Sequence, residues 1–96
     1  MNLCITGFDL SSVGFQNDYR NLPEQVKTHF KERYKLLLQR PQPKKLRLEK
    51  LSGYVKPGVY TIHITPNHSH KLSFELDGSI ARFRRIGTHK DIDRTP

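Results

Sequence analysis

Apolar and polar residues alternate at the start of the chain and then change to a helical spacing. Residues 1–8 alternate with Leu3 and Ile5 on one face, which predicts a first strand. Ser11 or Ser12 can cap the helix that follows. The inward positions of this helix are Phe15, Tyr19 and Leu22.

A second amphipathic helix is predicted over residues 24–40. Pro23 disfavours helix in Leu22 and suits the first position of the next helix. Apolar residues then recur at i, i+4, i+8, i+11 and i+12, with charged residues between them. These inward positions are Val26, Phe30, Tyr34, Leu37 and Leu38. The sequence RPQP ends the helix.

The second half of the chain has a period of two. Residues 44–58 form a basic connection whose apolar anchors are Leu46, Leu48 and Leu51. Strands are then predicted from Gly58 to about Ile64, from about Lys71 to Leu76, and from Ser79 to about Ile86. The order predicts an α+β fold in one domain, residues 1–96. An N-terminal strand and two helices pack on a mostly antiparallel four-stranded sheet.

Asp77-Gly78 is a strong hairpin signal, and it predicts a register for the last two strands. With these two residues as the turn, Glu75 faces Ile80, Phe74 faces Ala81 and Leu72 faces Phe83. The face towards the helices then carries Tyr60, Ile62, Ile64, Leu72, Phe74, Ala81 and Phe83. The opposite, open face carries Thr61, His63, Lys71, Ser73, Arg82 and Arg84.

This register places Lys71 directly opposite Arg84, a like-charge pair that is unfavourable without an anion between its members. With His63 and Arg82 nearby, the open face is a candidate anion site. Arginine offers phosphate a planar fork of donors, so phosphate is the expected anion. The alternative is a solvated polar face whose long side chains splay apart.

The composition favours a polyanionic partner. The chain has 96 residues, a net charge of +8 and an isoelectric point near 9.9. Such a balance suits nucleic acid, and otherwise an anionic membrane or an acidic protein. No apolar run is long enough for a transmembrane helix, and MNLCITGF does not resemble a signal peptide. The single Cys4 fits a reducing cytosol, and we expect it in a strand or the core.

Five ordered stretches together resemble the RelE/ParE superfamily of small basic toxins from type II toxin–antitoxin modules. They are NLPEQVKTHFKERYKLLLQRP, LRLEKLSGY, GVYTIHI, HKLSFELDG and RRIGTHKDI. The resemblance runs from about Phe15 to Ile92. RIGTH at the end of the last strand is most similar to the RelE branch that includes the YafQ and YoeB toxins.

The resemblance implies a cytoplasmic, metal-independent endoribonuclease that needs no cofactor and cleaves mRNA in the ribosomal A site. The 2′-hydroxyl attacks the adjacent phosphate and leaves a cyclic phosphate and a 5′-hydroxyl. This chemistry needs a base, an acid and cations that stabilise the phosphorane.

The resemblance also assigns candidate catalytic residues. His89 occupies the place of the YafQ-type general acid, and Lys71 that of the RelE arginine that contacts the scissile phosphate. A one-residue shift would select His70 instead of Lys71. His63 is a candidate base or phosphate ligand. Arg84, which is selected from the open face of the sheet, completes the set of catalytic candidates. RelE and YafQ place a stacking aromatic a few positions after the acid, and KDIDRTP contains none.

Other basic residues are candidates for RNA contact. The cluster Lys44, Lys45, Arg47 and Lys50 is either a solvated connection or a phosphate-binding patch. Arg82 and Arg85 are candidates for contact with RNA or with an antitoxin. His68 and His70 have the spacing of strand ligands, but no third ligand is evident and we expect no metal site.

Two other functions stay open. A ParE-like toxin would inhibit DNA gyrase by binding without catalysis, and a decayed toxin would be a simple nucleic-acid-binding module. The expected partners are a neutralising antitoxin in a hetero-oligomeric complex, the ribosome and mRNA, and no membrane. An acidic or amphipathic segment of the antitoxin would cover the basic face or wrap the helices.

Overall fold

A computed structural model describes residues 2–55 and 58–96 of the chain. Its helices are α1 (Val13–Arg20), α2 (Glu24–Arg33) and α3 (His89–Arg94). Its strands are β1 (Gly7–Asp9), β2 (Glu49–Val55), β3 (Gly58–His63), β4 (His70–Asp77) and β5 (Ile80–Thr88). They form one five-stranded sheet in the order β1-β5-β4-β3-β2, in which only β1 and β5 run parallel. The predicted α+β class is confirmed, with one strand more than expected.

The additional strand is β2, which lies in the segment predicted to be a basic connection. It pairs antiparallel with β3 through Glu49 opposite Thr61 and Lys50 opposite Tyr60. Gly53 adopts a φ of +85°, at an interruption of the register. Lys56 and Pro57, in the same predicted connection, lie outside the described residues.

The first strand is shorter than predicted and begins only at Gly7. Met1 lies outside the described residues. The segment before β1 is held instead by Gln42, whose side-chain amide donates to the Leu3 carbonyl at 2.7 Å and accepts from the Leu3 N–H at 2.9 Å. Cys4 is exposed and lies outside the strand, so its predicted place in a strand or the core is wrong.

The two N-terminal helices form where predicted, with a different end for α2. Ser12 is the N-cap of α1, and its hydroxyl accepts from the Phe15 N–H at 3.4 Å. The α-helical part of α2 ends at Arg33, and the chain continues as a 3₁₀ helix over Tyr34–Leu38. A second short 3₁₀ turn covers Lys44–Leu46.

An aromatic cluster joins α1 and α2 to the sheet. Phe83 of β5 is fully buried, and its ring centroid lies 5.4 Å from Phe15 and 5.9 Å from Phe30. Phe8 and Tyr34 close the cluster at 5.6 and 6.0 Å from Phe83. Six of the seven predicted helix-facing residues are fully buried, namely Ile62, Ile64, Leu72, Phe74, Ala81 and Phe83. The seventh, Tyr60, is partly buried and packs against the core.

The register of the hairpin differs from the prediction. Asp77 pairs with Ile80, so the turn residues are Gly78 and Ser79. Only Gly78 of the two has a positive φ, +62°, as a type II′ turn requires. Phe74 therefore faces Phe83 and not Ala81. The shift of two residues keeps each side chain on its predicted face.

A β-bulge then changes the pairing further along β5. Phe74 pairs with Phe83 but Ser73 pairs with Arg85, which leaves Arg84 as the extra residue. Lys71 faces Gly87, so the predicted like-charge pair of Lys71 and Arg84 is wrong.

The sheet face opposite α1 and α2 is partly covered by α3. Thr88 caps this helix, and its hydroxyl accepts from the Asp91 N–H at 3.2 Å. Ile92 is fully buried, and a Cβ at Gly87 would lie 3.7 Å from the Ile92 side chain. The prediction of an open face is therefore wrong near Lys71. In the described ranges, no helix has the length and apolarity to cross a membrane.

Asp18 of α1 caps the edge of β5 beyond the end of β1. Its carboxylate accepts from the Ile86 N–H at 3.1 Å and from the Arg85 guanidinium at 2.6 and 3.2 Å. One carboxylate, that of Asp18, thus accepts a hydrogen bond from the backbone N–H of Ile86 at the strand edge and pairs with the charge of Arg85.

We predict that Asp18→Ala lowers the free energy of unfolding by about 2 kcal/mol, since it leaves the Ile86 N–H unpaired and removes the carboxylate that binds Arg85. Urea unfolding followed by circular dichroism measures the change. Asn17→Ala, an exposed substitution on the same helix, is the matched control. Equal stability of the two variants would show that Asp18 does not hold the edge.

Candidate functional site

A groove of about 570 Å³ lies between α3 and the end of the sheet that carries β2 and β3. Its walls come from five parts of the chain: the turn before β2, β2 itself, the end of β3, the start of β4, and α3. The lining residues are Arg47, Glu49, Leu51, His63, Lys71, His89 and Asp93. The structure thus brings together four residues selected from the sequence: His63, Lys71, His89 and Arg47.

His63 forms the floor of the groove at the end of β3 and is 8% exposed. Its Nδ1 lies 3.0 Å from Nδ1 of His68, so one ring donates and the other accepts. Its ring also packs edge-on against His89, with 5.4 Å between the centroids. Burial lowers the pKa of His63 to about 4, helped by the charges of Lys71, His68, His89 and Arg47. His63 is therefore neutral at physiological pH.

The other two histidines of this region have different surroundings. His68 lies in a turn with a φ of +61°, and burial followed by the charge of Arg47 lowers its pKa. His70 pairs with Thr88 in the sheet, and its Nδ1 lies 2.7 Å from the Ser69 hydroxyl. Burial lowers the pKa of His70 as well. His70 does not line the groove.

Asp93 joins Lys71 to His89, and the sequence reasoning missed it. One carboxylate oxygen, Oδ1, lies 2.6 Å from Lys71 Nζ. The other, Oδ2, lies 2.8 Å from His89 Nδ1. The available signal was the i, i+4 spacing of His89 and Asp93, which places both side chains on one face of a helix.

The arginines of β5 do not line this groove, and carboxylates elsewhere in the fold bind them. Arg82 contacts Asp77 at 2.8 Å, Asp9 at 3.3 Å and Glu75 at 3.4 Å. Glu75 also contacts Arg84 at 3.4 Å. The pKa of Arg82 is raised, first by its hydrogen bond with Asp9. The predicted anion site is therefore divided: His63 and Lys71 line the groove, while Arg82 and Arg84 belong to an internal charge network.

The basic cluster near β2 is exposed, and one of its members lies in the wall of the groove. Lys44, Lys45, Arg47 and Lys50 are all exposed. Arg47 has a φ of +48° and is the member of the cluster that lines the groove. Within residues 2–55 and 58–96, no carboxylate lies at ion-pair distance from Arg47. Its guanidinium is available to an anion. Among the same residues, no three histidine, cysteine or acidic side chains are arranged to hold a metal ion.

The lowered pKa of His63 predicts a loss of stability in acid. In the unfolded chain His63 is protonated near pH 6.5, and in the folded chain only near pH 4. The contribution of neutral His63 to stability is therefore complete above about pH 6.5 and is lost as the pH falls towards 4. Between about pH 7.5 and about pH 5, the wild-type free energy of unfolding should fall by about 2 kcal/mol more than that of His63→Gln.

Urea unfolding of both proteins at the two pH values tests this. His68 and His70 titrate in both chains, so the difference between the proteins isolates His63. Parallel pH dependence of the two proteins would contradict the neutral state of His63 in the fold.

Comparisons with known proteins identify a fold. No protein-family model matches the chain, and no curated protein matches it. Solved structures do. The RelB–RelE antitoxin–toxin complex of Methanococcus jannaschii contains a chain 23% identical, covering 95% of this chain and 100% of that one, with a TM-score of 0.66.

YafQ of Escherichia coli gives a similar result. In the structure from strain BL21(DE3) it is 20% identical, with a TM-score of 0.69 over 92% of this chain and 97% of that one. In the DinJ–YafQ toxin–antitoxin complex the sequence identity is 21% and the TM-score is 0.70, over 94% of this chain and 98% of that one. At these identities the likeness establishes architecture. The expected fold is confirmed: the chain has a RelE-like toxin fold.

Proposed function

We propose that this protein is the toxin of a type II toxin–antitoxin system and that it cleaves mRNA on the ribosome. The observation that carries the proposal is the pair of neighbouring histidines in one groove, which have different surroundings. His63 is buried and neutral, whereas His89 is half-exposed and lies at ion-pair distance from a carboxylate. Two titratable groups with such different environments are suited to act as base and acid.

In the proposed reaction the RNA 2′-oxygen attacks the adjacent phosphorus and the bond from phosphorus to the 5′-oxygen breaks. His63 accepts the proton of the 2′-hydroxyl, and His89 donates a proton to the departing 5′-oxygen. The products are a 2′,3′-cyclic phosphate and a 5′-hydroxyl. Every step is a proton transfer or a displacement at phosphorus, so the residues of the groove supply all the groups required.

The hydrogen bond between His63 and His68 supports the role of His63 as base. When His63 donates its Nδ1–H to His68, its Nε2 carries the free lone pair. Its low pKa keeps this nitrogen unprotonated across the physiological range. The low pKa also limits its basicity, so His63 acts as a proton acceptor that is always available and not as a strong base.

The groove also supplies positive charge. Arg47 is exposed and can offer the phosphate two parallel hydrogen bonds. Lys71 also lines the groove, but its ammonium is buried and paired with Asp93. The proposal gives no step to Arg84 or His70. Arg84 binds Glu75 and the Pro96 carbonyl, and His70 contacts Ser69.

The ribosome and an antitoxin are the proposed partners. Lys44, Lys45 and Lys50 are exposed and can contact phosphates of ribosomal RNA while mRNA occupies the groove. RelE and YafQ have been solved in complexes with antitoxins. We propose an acidic antitoxin for this chain, in a hetero-oligomeric complex, because the toxin carries a net charge of +8.

We predict that the wild-type protein produces cleavage at A-site codons in a translating extract, read by primer extension. His89→Ala and His63→Ala should each reduce the cleavage rate by about 100-fold or more, since each removes one proton-transfer group. His29→Ala, a substitution on α2 outside the groove, should keep the wild-type rate.

Cleavage that survives His89→Ala would exclude His89 as the acid. Absence of cleavage by the wild type, together with inhibition of gyrase supercoiling, would replace the proposal with the ParE-like alternative.

A second prediction concerns the cation that binds phosphate. Arg47→Ala should weaken binding to ribosomes by about tenfold and reduce its salt dependence, because an exposed arginine contact to phosphate is lost. Arg20→Ala, which removes an exposed arginine from α1, is the control with the same charge change. Sedimentation with ribosomes at several salt concentrations measures both. Equal losses for the two variants would indicate that only net charge matters.

A further inference from the structure

We propose that Asp93 is a positioning residue: it fixes the tautomer and orientation of His89 and thereby presents His89 Nε2 to the RNA. The inference rests on the proposed function, in which His89 is the acid. It concerns a residue in the part of the tail where the resemblance expects an aromatic side chain. The carboxylate has one oxygen on Lys71 Nζ at 2.6 Å and one on His89 Nδ1 at 2.8 Å.

The Lys71 bond fixes the position of the carboxylate. The Lys71 side chain is 6% exposed, and an ammonium group removed from water requires a counter-charge. In the described part of the chain, Asp93 is the one carboxylate at ion-pair distance from it. Lys71 itself lies on β4, a central strand hydrogen-bonded to β3 and β5. One oxygen of Asp93 is therefore held by a rigid part of the sheet.

The second oxygen then determines which nitrogen of His89 carries hydrogen. A bare Nδ1 would set its lone pair against the carboxylate oxygen 2.8 Å away, so hydrogen on Nδ1 is the favoured state. Nε2 is left as the nitrogen that can transfer a proton. Two contacts hold α3, the helix that carries both residues. Thr88 caps its first turn, and Ile92 is fully buried against the sheet. Orientation of an acid by a carboxylate on its distal nitrogen is a recognised way to position an imidazole.

A different role for the same contact is that Asp93 blocks the site, because its carboxylate occupies Lys71 where a phosphate would bind. The geometry favours positioning. Lys71 is nearly inaccessible from solvent, whereas the exposed Arg47 offers a free cation to the phosphate. The two roles predict opposite effects of removing the carboxylate.

The test combines nuclear magnetic resonance with kinetics. Long-range proton–nitrogen spectra of the full chain, recorded with uncharged histidines, report the tautomer of each ring. Wild-type His89 should be in the Nδ1–H form, and Asp93→Ala should move it to the Nε2–H form. Asp91→Ala, the same substitution on the same helix, should leave it in the Nδ1–H form. Dispersed backbone spectra of each variant verify the fold.

In the ribosomal cleavage assay, Asp93→Ala should lower kcat by about tenfold or more with KM changed by less than about threefold. Asp93→Glu, which retains both oxygens, should recover part of the loss, and Asp91→Ala should match the wild type. A wild-type His89 in the Nε2–H form overturns the proposal. So does an increase in cleavage with Asp93→Ala, which would establish the blocking role.

Failure of the proposed function has a different signature. If no variant and no wild-type protein cleaves RNA while the tautomer shift is observed, the positioning contact stands and the nuclease assignment is overturned.

Discussion

The arrangement of the groove depends on one constraint, the charge of a buried lysine. Lys71 lies on a central strand with its ammonium almost completely removed from water. A charge in that position must be paired, or it would cost several kcal/mol. The nearby strands supply no carboxylate within reach in the described residues, so the partner comes from α3. Docking of α3 and neutralisation of Lys71 are therefore one event, and it brings His89 over His63.

The same constraint acts on His63. Its ring lies at the end of β3, next to Lys71 and beneath His89. Loss of solvent is the largest influence on its pKa, and the charge of Lys71 is the next. Asp93 satisfies Lys71 but does not contact His63. The groove thus contains two imidazoles in contact with each other, one neutral and the other at ion-pair distance from a carboxylate.

Sequence patterns predicted the faces of the sheet better than its pairing. The period of two assigned Leu72, Phe74, Ala81 and Phe83 correctly to the core, since a register error of two residues does not change the side on which a residue lies. It did not reveal the bulge at Arg84, because the adjacent Arg84 and Arg85 interrupt the alternation without indicating which of them is the extra residue. β2 was missed for a related reason: its charged and glycine residues are typical of a loop.

The sequence predicted individual residues of the site but not the ion pairs between them. His63, Lys71 and His89 were selected from strand faces and from resemblance, Arg47 was selected as part of a basic cluster, and the four do meet in the groove. The carboxylates that pair with cations could not be located, because they arrive from distant parts of the chain. Asp9 and Asp18 bind arginines of β5 that lie more than sixty residues away in sequence.

The pairing of arginines with distant carboxylates determines which cations can still bind an anion. A count along β5 gives three arginines in four residues and suggests a strong anion site. In the fold, Asp9, Asp18, Glu75 and Asp77 bind those arginines, so their charge stabilises the sheet. Arg47, by contrast, lines the groove from a segment that the sequence predicted to be a connection, and no carboxylate among the described residues lies at ion-pair distance from it. The exposed cation that the groove offers to an anion is therefore Arg47, and not one of the arginines of β5.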